Sequence, residues 1–504
     1  MLCLIACLLL SDPAAANLSA GPPAGQRPNV VIILADDLGW GDVKPLNPDS
    51  PIPTPAIERL AAAGMTLTNG HTSAAVCTPT RYSLLCGRHC WRTRLKSGVL
   101  GGYSAPLIEP DRETIATIAN RAGYRTAAVG KWHLGLGWRL RTRVDGLDDF
   151  QDPPARGQVD FSQPIAGGLA GFGTTFLVPA SLDMSPYVFV ADGRATGLPT
   201  LDKPAVPFPA FSRAGERAQD FEIIDVLDRI VDEATTAIRE AAVAEEPLLL
   251  YVPLTSPHKP IAVHPRFEGR SGIGPYGDFV VQTDDAIGRI VAATVAAGMQ
   301  DNTLLIVTSD NGSYMRSTTG RPGHSDDATQ QAYDADVHRP NGPFRGTKAD
   351  LYEAGHRVPF FAVWPGVIEP GSSSDLPVTQ VDLLATLADI WSVPYDAASA
   401  VDSVSMLPLL AGESNDSRPI VVQSANGSLG LIDGNWKLLA TDGSGGRLKP
   451  RGRPWSEPYQ LYDLADDPGE SIDLSGRYPE RVAAMTAALR QVVGQDAVAG
   501  LESR

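Results

Sequence analysis

Asn29-Val30-Val31-Ile32-Ile33-Leu34-Ala35-Asp36-Asp37 decides the fold. From Val30 to Ala35 the run is apolar and mostly β-branched, with no polar alternation. A strand with one wet face alternates; a strand without alternation is covered on both faces, as in parallel sheets flanked by helices. The run ends in two carboxylates. In open α/β sheets, ligands bind outside the carboxyl ends of the strands. Asp36 and Asp37 are therefore candidate site residues by position alone.

Working outward, strands and helices alternate. Strands are predicted over Arg125 to Val129, Leu248 to Val252 and Thr303 to Ser309. Helices are predicted over Pro55 to Ala63, opened by Thr54 and closed by Gly64, and over Thr114 to Ala122, closed by Gly123. Phe221 to Ala244 places Leu227, Ile230, Val231, Ala234 and Ile238 on one side. Asp284 to Ala297 and Asp382 to Trp391 complete the set. This alternation predicts an α/β fold, a large mostly parallel sheet sandwiched by helices. Residues 151–215 are rich in Pro, Gly and Ala, and read as an extended loop region over the site. After about Leu410 come short strands, Pro419 to Val422, Gly430 to Ile432 and Trp436 to Leu439, then a closing helix from Glu480 to Val493. The division expected is a catalytic domain over 27–410 and a smaller C-terminal α+β subdomain over 411–504, carrying an antiparallel sheet.

The 504-residue chain has a formal net charge of −16 and a pI near 5.0. That excludes a nucleic-acid binder and gives no general steering of anions, so any attraction for an anion must be local. Residues 1–20 read as an export signal: Leu2 to Leu10 is apolar and Ala14-Ala15-Ala16 offers small residues for cleavage. The run is too short to span a bilayer, and no later segment reads as a span. The expected location is periplasmic or secreted. Of five cysteines, Cys3 and Cys7 leave with the signal. Cys86 and Cys90, four apart, are expected on one helix face as buried thiols.

Cys77-Thr78-Pro79-Thr80-Arg81 carries the chemistry. Pro79 suits the first turn of a helix, whose N-terminus favours an anion. Arg81 adds a fork of donors for an anionic oxygen. Further motifs follow: Ser83-Leu84-Leu85-Cys86-Gly87-Arg88, Gly130-Lys131-Trp132-His133-Leu134-Gly135, Ser256-Pro257-His258-Lys259-Pro260, Asp310-Asn311-Gly312, and Arg345-Gly346-Thr347-Lys348 with Glu353-Ala354-Gly355-His356-Arg357-Val358-Pro359. Asp36, Asp37, Asp310 and Asn311 offer three carboxylates and an amide oxygen, hard donors that suit Ca²⁺ or Mg²⁺ rather than Zn²⁺. Plain readings stand beside these. Asp36-Asp37 caps a turn, Asp310-Asn311-Gly312 makes a type I′ turn, and His133 packs. Asp42 reads as a loop residue rather than a ligand. His71 and His89 read as structural. His264, His324, His338 and His356 lie in loop-like sequence, where a histidine is more often solvated.

Taken in order, these motifs resemble the sulfatase family of the arylsulfatase type, in the alkaline-phosphatase-like fold, from about Arg27 to the C-terminal helix. Tyr462-Asp463-Leu464 with Asp467-Pro468-Gly469-Glu470 resembles that family's C-terminal run. The resemblance implies that a formylglycine-generating enzyme oxidises Cys77 to formylglycine. It implies Ca²⁺ held by Asp36, Asp37, Asp310, Asn311 and the group made from Cys77. It implies catalytic roles for Arg81, Lys131, His133, His258 and Lys348. The hydrated aldehyde would attack the sulfur of a sulfated small molecule or glycan. His258, with Lys348, would serve the departing ester oxygen, and His133 would take the proton of the second hydroxyl. Two departures are visible: Ala354 replaces a glycine of the family pattern, and Gly171-Phe172-Gly173 lacks the carboxylate of Gly-Phe-Asp. Two other readings use the same residues: a formylglycine-dependent phosphodiesterase or phosphonate monoesterase, and a non-catalytic sulfated-glycan-binding protein.

Overall fold

The computed structural model describes residues 27–141, 157–207, 210–318, 323–324, 331–334, 336–413 and 417–494. The expected export signal, residues 1–20, lies outside the described residues. Strand Asn29–Asp36 is at the centre of a ten-stranded sheet. It pairs in parallel with Leu248–Pro257 on one side and Thr303–Ser309 on the other. Arg125–Lys131 and then Thr174–Val178 continue the parallel core. Antiparallel pairs appear outside it, through Phe360–Val363 and Met65–Leu67 at one end and Val190–Ala191 and Arg194–Ala195 at the other. Every side chain from Val30 to Ala35 has 0% exposure, which is the unalternated run read as burial on both faces. Helices Val226–Ala244 and Pro275–Ala296 pack on each other and on Leu248–Pro257; Ile115–Arg121 packs on Arg125–Lys131.

Register positions the site. Ala35 is level with Ser309, and Asp36 with Pro257. The residues that follow, Asp37, His258 and Asp310, therefore leave neighbouring strands at the same edge. Beyond the main sheet, Ile420–Gln423, Leu429–Asp433, Trp436–Leu439 and Gln460–Asp463 form a four-stranded antiparallel sheet, with helix Pro479–Val493 against its two middle strands.

Three expectations are corrected. The region 151–215, of which 151–156 and 208–209 lie outside the described residues, is not one loop: Thr174–Val178 extends the main sheet, and Leu201–Lys203 pairs with Gly215–Arg217. Strands of two to five residues between glycines and prolines are too short to show a period. The helix expected from Asp284 begins at Pro275. Asp284 lies inside it, and its carboxylate accepts from Ala56 N and Ile57 N at 2.9 Å each, capping helix Pro55–Ala63 from outside. The Thr54 hydroxyl, read as that helix's cap, accepts from Lys44 N instead. Finally, Cys86 ends its helix at left-handed Gly87, and Cys90 opens a separate turn. They are free, buried thiols, but on no common helix face.

Candidate active site

Cys77 is the first residue of helix Cys77–Cys86, a ten-residue helix in which every residue is buried. Extended Val76 precedes it, so the positive end of the helix dipole points at the edge of the sheet. Cys77 Sγ is 3.2 Å from Lys348 Nζ and 3.8 Å from Asp36 Oδ1. Asp36, Asp37, Cys77 and His258 each place one donor atom within 4.8 Å of the other three. Burial pushes the Cys77 thiol up to about 12, with Asp310 adding to the rise and Lys131 and Lys348 opposing it. It stays protonated at neutral pH and is a poor nucleophile as it stands.

Three carboxylates and three cations interlock around it. Lys131 Nζ donates to Asp36 at 2.7 Å, and Lys348 Nζ to Asp37 Oδ1 at 2.5 Å. Arg81 donates to Asp310 Oδ2 through Nε at 2.9 Å and Nη2 at 2.6 Å, and its Nη1 reaches Lys131 O at 2.8 Å. Asn311 Nδ2 donates to Asp37 Oδ1 at 2.6 Å. Charges this deeply buried persist only when paired. The pairing is uneven. Burial raises Asp36 to about 7 against the pull of Lys131. Burial also works against the Asp310 charge, but Arg81, Lys131 and Lys348 outweigh it and hold that carboxyl well below its usual range. Two acceptors are left over: Asp37 Oδ2 and Asn311 Oδ1 are buried without a hydrogen-bond partner among the described residues. Two such oxygens beside three carboxylates form a donor set that fits a hard divalent cation.

The two expected histidines flank this set. His258 Nδ1 faces Lys259 O at 2.5 Å, and its Nε2 is 3.7 Å from Asp37 Oδ2. His133 Nε2 faces Leu100 O at 2.8 Å, leaving a buried Nδ1 without a partner among the described residues. Burial, then neighbouring lysines and, for His133, also Arg81, hold both imidazoles well below their ordinary range, so both are neutral. Close backbone approaches fix the carriers of these groups. A Cβ on Gly130 would lie 2.0 Å from Pro253 O, just before Lys131, and one on Gly312 would lie 1.8 Å from Ala354 O, just after Asn311.

Asp36, Asp37, Cys77, Arg81, Lys131, His133, His258, Asp310, Asn311 and Lys348 thus meet at one strand edge. The sulfatase family model matches residues 28–393. The chain belongs to the sulfatase family. An N-acetylgalactosamine-6-O-sulfatase of Bacteroides thetaiotaomicron is 32% identical over 93% of each chain. Arylsulfatase A of Homo sapiens is 30% identical over 94% of this chain and 89% of its own. A solved structure described under the metabolism of multiple glycosaminoglycans by Bacteroides thetaiotaomicron superposes with a TM-score of 0.79 at 32% identity, covering 93% of this sulfatase and 99% of that chain. A sulfatase from Pseudoalteromonas sp., at 22% identity and a TM-score of 0.69 over 93% and 90% of the two chains, shares the fold. The sulfatase is accordingly a sulfuric ester hydrolase.

Other buried residues escaped the sequence reading. His338 and His356, expected at the surface, are 3% and 0% exposed. His338 Nε2 contacts Asp42 Oδ1 at 2.8 Å, and Asp42 also accepts from Tyr276 OH and Gly39 N. Asp42, expected to be no ligand, is a buried tie between Gly39, Tyr276 and His338. His356 Nδ1 contacts His71 Nδ1 at 2.9 Å, and its Nε2 lies 3.0 Å from Lys437 Nζ. Lys437 also pairs with Glu353 at 2.9 Å and Glu470 at 2.8 Å. A lysine inside the apolar strand Trp436–Leu439 was the available signal, since a buried cation demands a buried anion.

Proposed function

We propose that this sulfatase removes sulfate from a carbohydrate outside the cytoplasm, using formylglycine made from Cys77 and a Ca²⁺ ion held by Asp36, Asp37, Asp310 and Asn311. The observation that carries this reading is the pair of orphaned oxygens, Asp37 Oδ2 and Asn311 Oδ1, in the same pocket as a thiol too basic to attack. Hydrated formylglycine supplies two hydroxyls, one to attack sulfur and one to release it, and the ion supplies a Lewis acid for a sulfate oxygen. A formylglycine-generating enzyme is the partner in maturation.

The chain's own residues do the rest. Lys131, Lys348 and Arg81 present fixed positive charge where charge accumulates on the sulfate, and need no reorganisation because their carboxylate partners already hold them. His258 engages Lys259 O through Nδ1, which leaves Nε2 for the ester oxygen of the leaving alcohol. Its neutrality in the free enzyme follows from burial and the nearby lysines. A bound sulfate offsets those cations and favours the protonated acid. His133, held neutral at Nδ1, is in the form a base requires. Over the whole reaction one water is consumed, the sulfate ester bond breaks, and the alcohol and sulfate leave. The carbohydrate assignment draws on the N-acetylgalactosamine-6-O-sulfatase relative. The extracytoplasmic assignment draws on the apolar run Leu2 to Leu10.

Peptide mass spectrometry across Cys77, with sulfate release from 6-O-sulfated N-acetylgalactosamine and 4-nitrophenyl sulfate and alcohol release from a phosphate diester, tests the reading. The expected result is an aldehyde at position 77 and turnover of the sulfate esters. An unmodified thiol in active protein overturns the nucleophile, and preference for the diester overturns the substrate class. Metal content before and after chelation should show one Ca²⁺ per chain, lost when Asp37 and Asn311 are replaced by alanine.

A further inference from the structure

Burial around the pocket is graded. Asp36, Asp37, Arg81, Lys131, Asp310 and Asn311 have 0% exposure, whereas His258 keeps 5%, Lys348 6% and Lys259 8%. The pocket therefore opens on the side of the last three, and Lys259 lies at its mouth. Lys259 Nζ stands 4.7 Å from the centre of the Phe211 ring, with no acceptor among the described residues. Asp183 attracts it; Asp183 Oδ2 is paired with Arg213, and its Oδ1 is buried without a hydrogen-bond partner among the described residues.

A second cation comes from the C-terminal part of the chain. Arg447 N and Leu448 N donate to Asp350 Oδ1 at 2.5 and 2.9 Å, and a Cβ on Gly446 would lie 2.3 Å from Ala349 O. This segment is pressed onto the loop that carries Lys348. Arg447 Nη1 is buried and without a hydrogen-bond partner among the described residues. The charges of Arg447, Lys348 and Arg213 all bear on Lys259. In a chain of net charge −16, the deep cations are matched to carboxylates, and these two are not. Cations that outnumber the one carboxylate bearing on Lys259, Asp183, call for a further anion.

We propose that Lys259 and Arg447 form a second anion subsite at the mouth of the catalytic pocket, taking a further sulfate or carboxylate of the same glycan. It rests on the carbohydrate reading above. The reacting sulfate occupies the inner set, so the outer pair selects substrates that carry two negative groups on neighbouring positions.

The test compares the converted wild-type enzyme with Lys259→Met, Arg447→Met and Arg447→Lys. Each is assayed on 4-nitrophenyl sulfate and on disaccharides bearing one 6-sulfated hexosamine linked to a uronic acid, to a neutral hexose, or to a second sulfated sugar. The expected result is a KM raised about tenfold in each Met variant on the doubly charged disaccharides, with kcat little changed and Arg447→Lys partly recovered. Loss on the uronate compound alone, or on the disulfated one alone, names the anion. Equal losses on singly and doubly charged substrates, or no loss on any, overturns the subsite. Should wild type cleave the aryl sulfate and no disaccharide, the carbohydrate reading fails. The subsite is then judged by inhibition of aryl-sulfate turnover: about tenfold weaker inhibition by the uronate disaccharide in the Met variants supports it, and unchanged inhibition overturns it.

Discussion

Arg81 shows how one side chain serves both the fold and the chemistry. Its guanidinium holds Asp310 through two nitrogens and the Lys131 carbonyl through a third. Arg81→Lys keeps the charge but not the planar fork. It should lower kcat by about a hundredfold or more, read by sulfate release, with far-UV circular dichroism unchanged. His89 makes a different kind of statement. It stacks on Trp91 with ring centres 3.8 Å apart, its Nδ1 is buried without a partner among the described residues, and burial pushes it down to about 4 against the pull of Asp402. The unfolded chain binds a proton near the ordinary value of 6.5 that the folded chain refuses. Its contribution is therefore intact above pH 6.5 and is lost as pH falls towards about 4. His89→Phe keeps the stack and removes the proton site, so its melting temperature should fall less than that of wild type over this range. An equal fall in both would contradict the assignment.

At the scale of elements, legibility followed signal length. Strand Thr303–Ser309 was read to the residue because seven buried positions in a row leave an unmistakable run. The motif residues were readable because short strands of polar groups stood at the ends of such runs. What failed was partnership at a distance. Nothing local to Thr54 says that Asp284, far along the chain, caps its helix. Nothing local to Asp284 distinguishes a cap for its own helix from a cap for another. Thr174–Val178 failed because five residues between Gly173 and Pro179 carry too little pattern. Gly130 tests how tightly elements are fitted. Its φ is +134°, and the space for a Cβ is filled by the Pro253 carbonyl of the neighbouring strand. Gly130→Ala should destabilise the protein by about 3 kcal/mol, measured by urea unfolding, with the loss of activity tracking displacement of Lys131.

Across the whole molecule, the two sheets are joined by buried charge. Lys437 on the C-terminal sheet reaches Glu353, Glu470 and His356, and Glu470 Oε2 accepts from Glu353 N at 2.6 Å. His356 then meets His71, which lies six residues before Cys77, while Glu353 lies five after Lys348. The C-terminal sheet thus braces both chain segments that carry Cys77 and Lys348. Lys437→Met strands two buried carboxylates and should cost about 3–5 kcal/mol in chemical denaturation. Both sheets should unfold in one transition in wild type; a separate early C-terminal transition would show that the brace is weaker than its geometry suggests.

The 2% exposure of Cys77 sets an order of events. No second enzyme can close its own active site around a thiol this deeply buried and held 3.2 Å from Lys348 Nζ. Any catalyst that alters this residue must meet it on a nascent or unfolded chain, while Cys77-Thr78-Pro79-Thr80-Arg81 is still a flexible peptide. The window closes when the sheet forms. On the proposed conversion of Cys77, protein that folds first would keep its thiol, and the yield of active enzyme would be set by a race between two clocks. Thiol-form protein incubated with the maturing enzyme should gain no activity until it is unfolded, treated and refolded, a sequence that peptide mass and sulfate release can follow step by step.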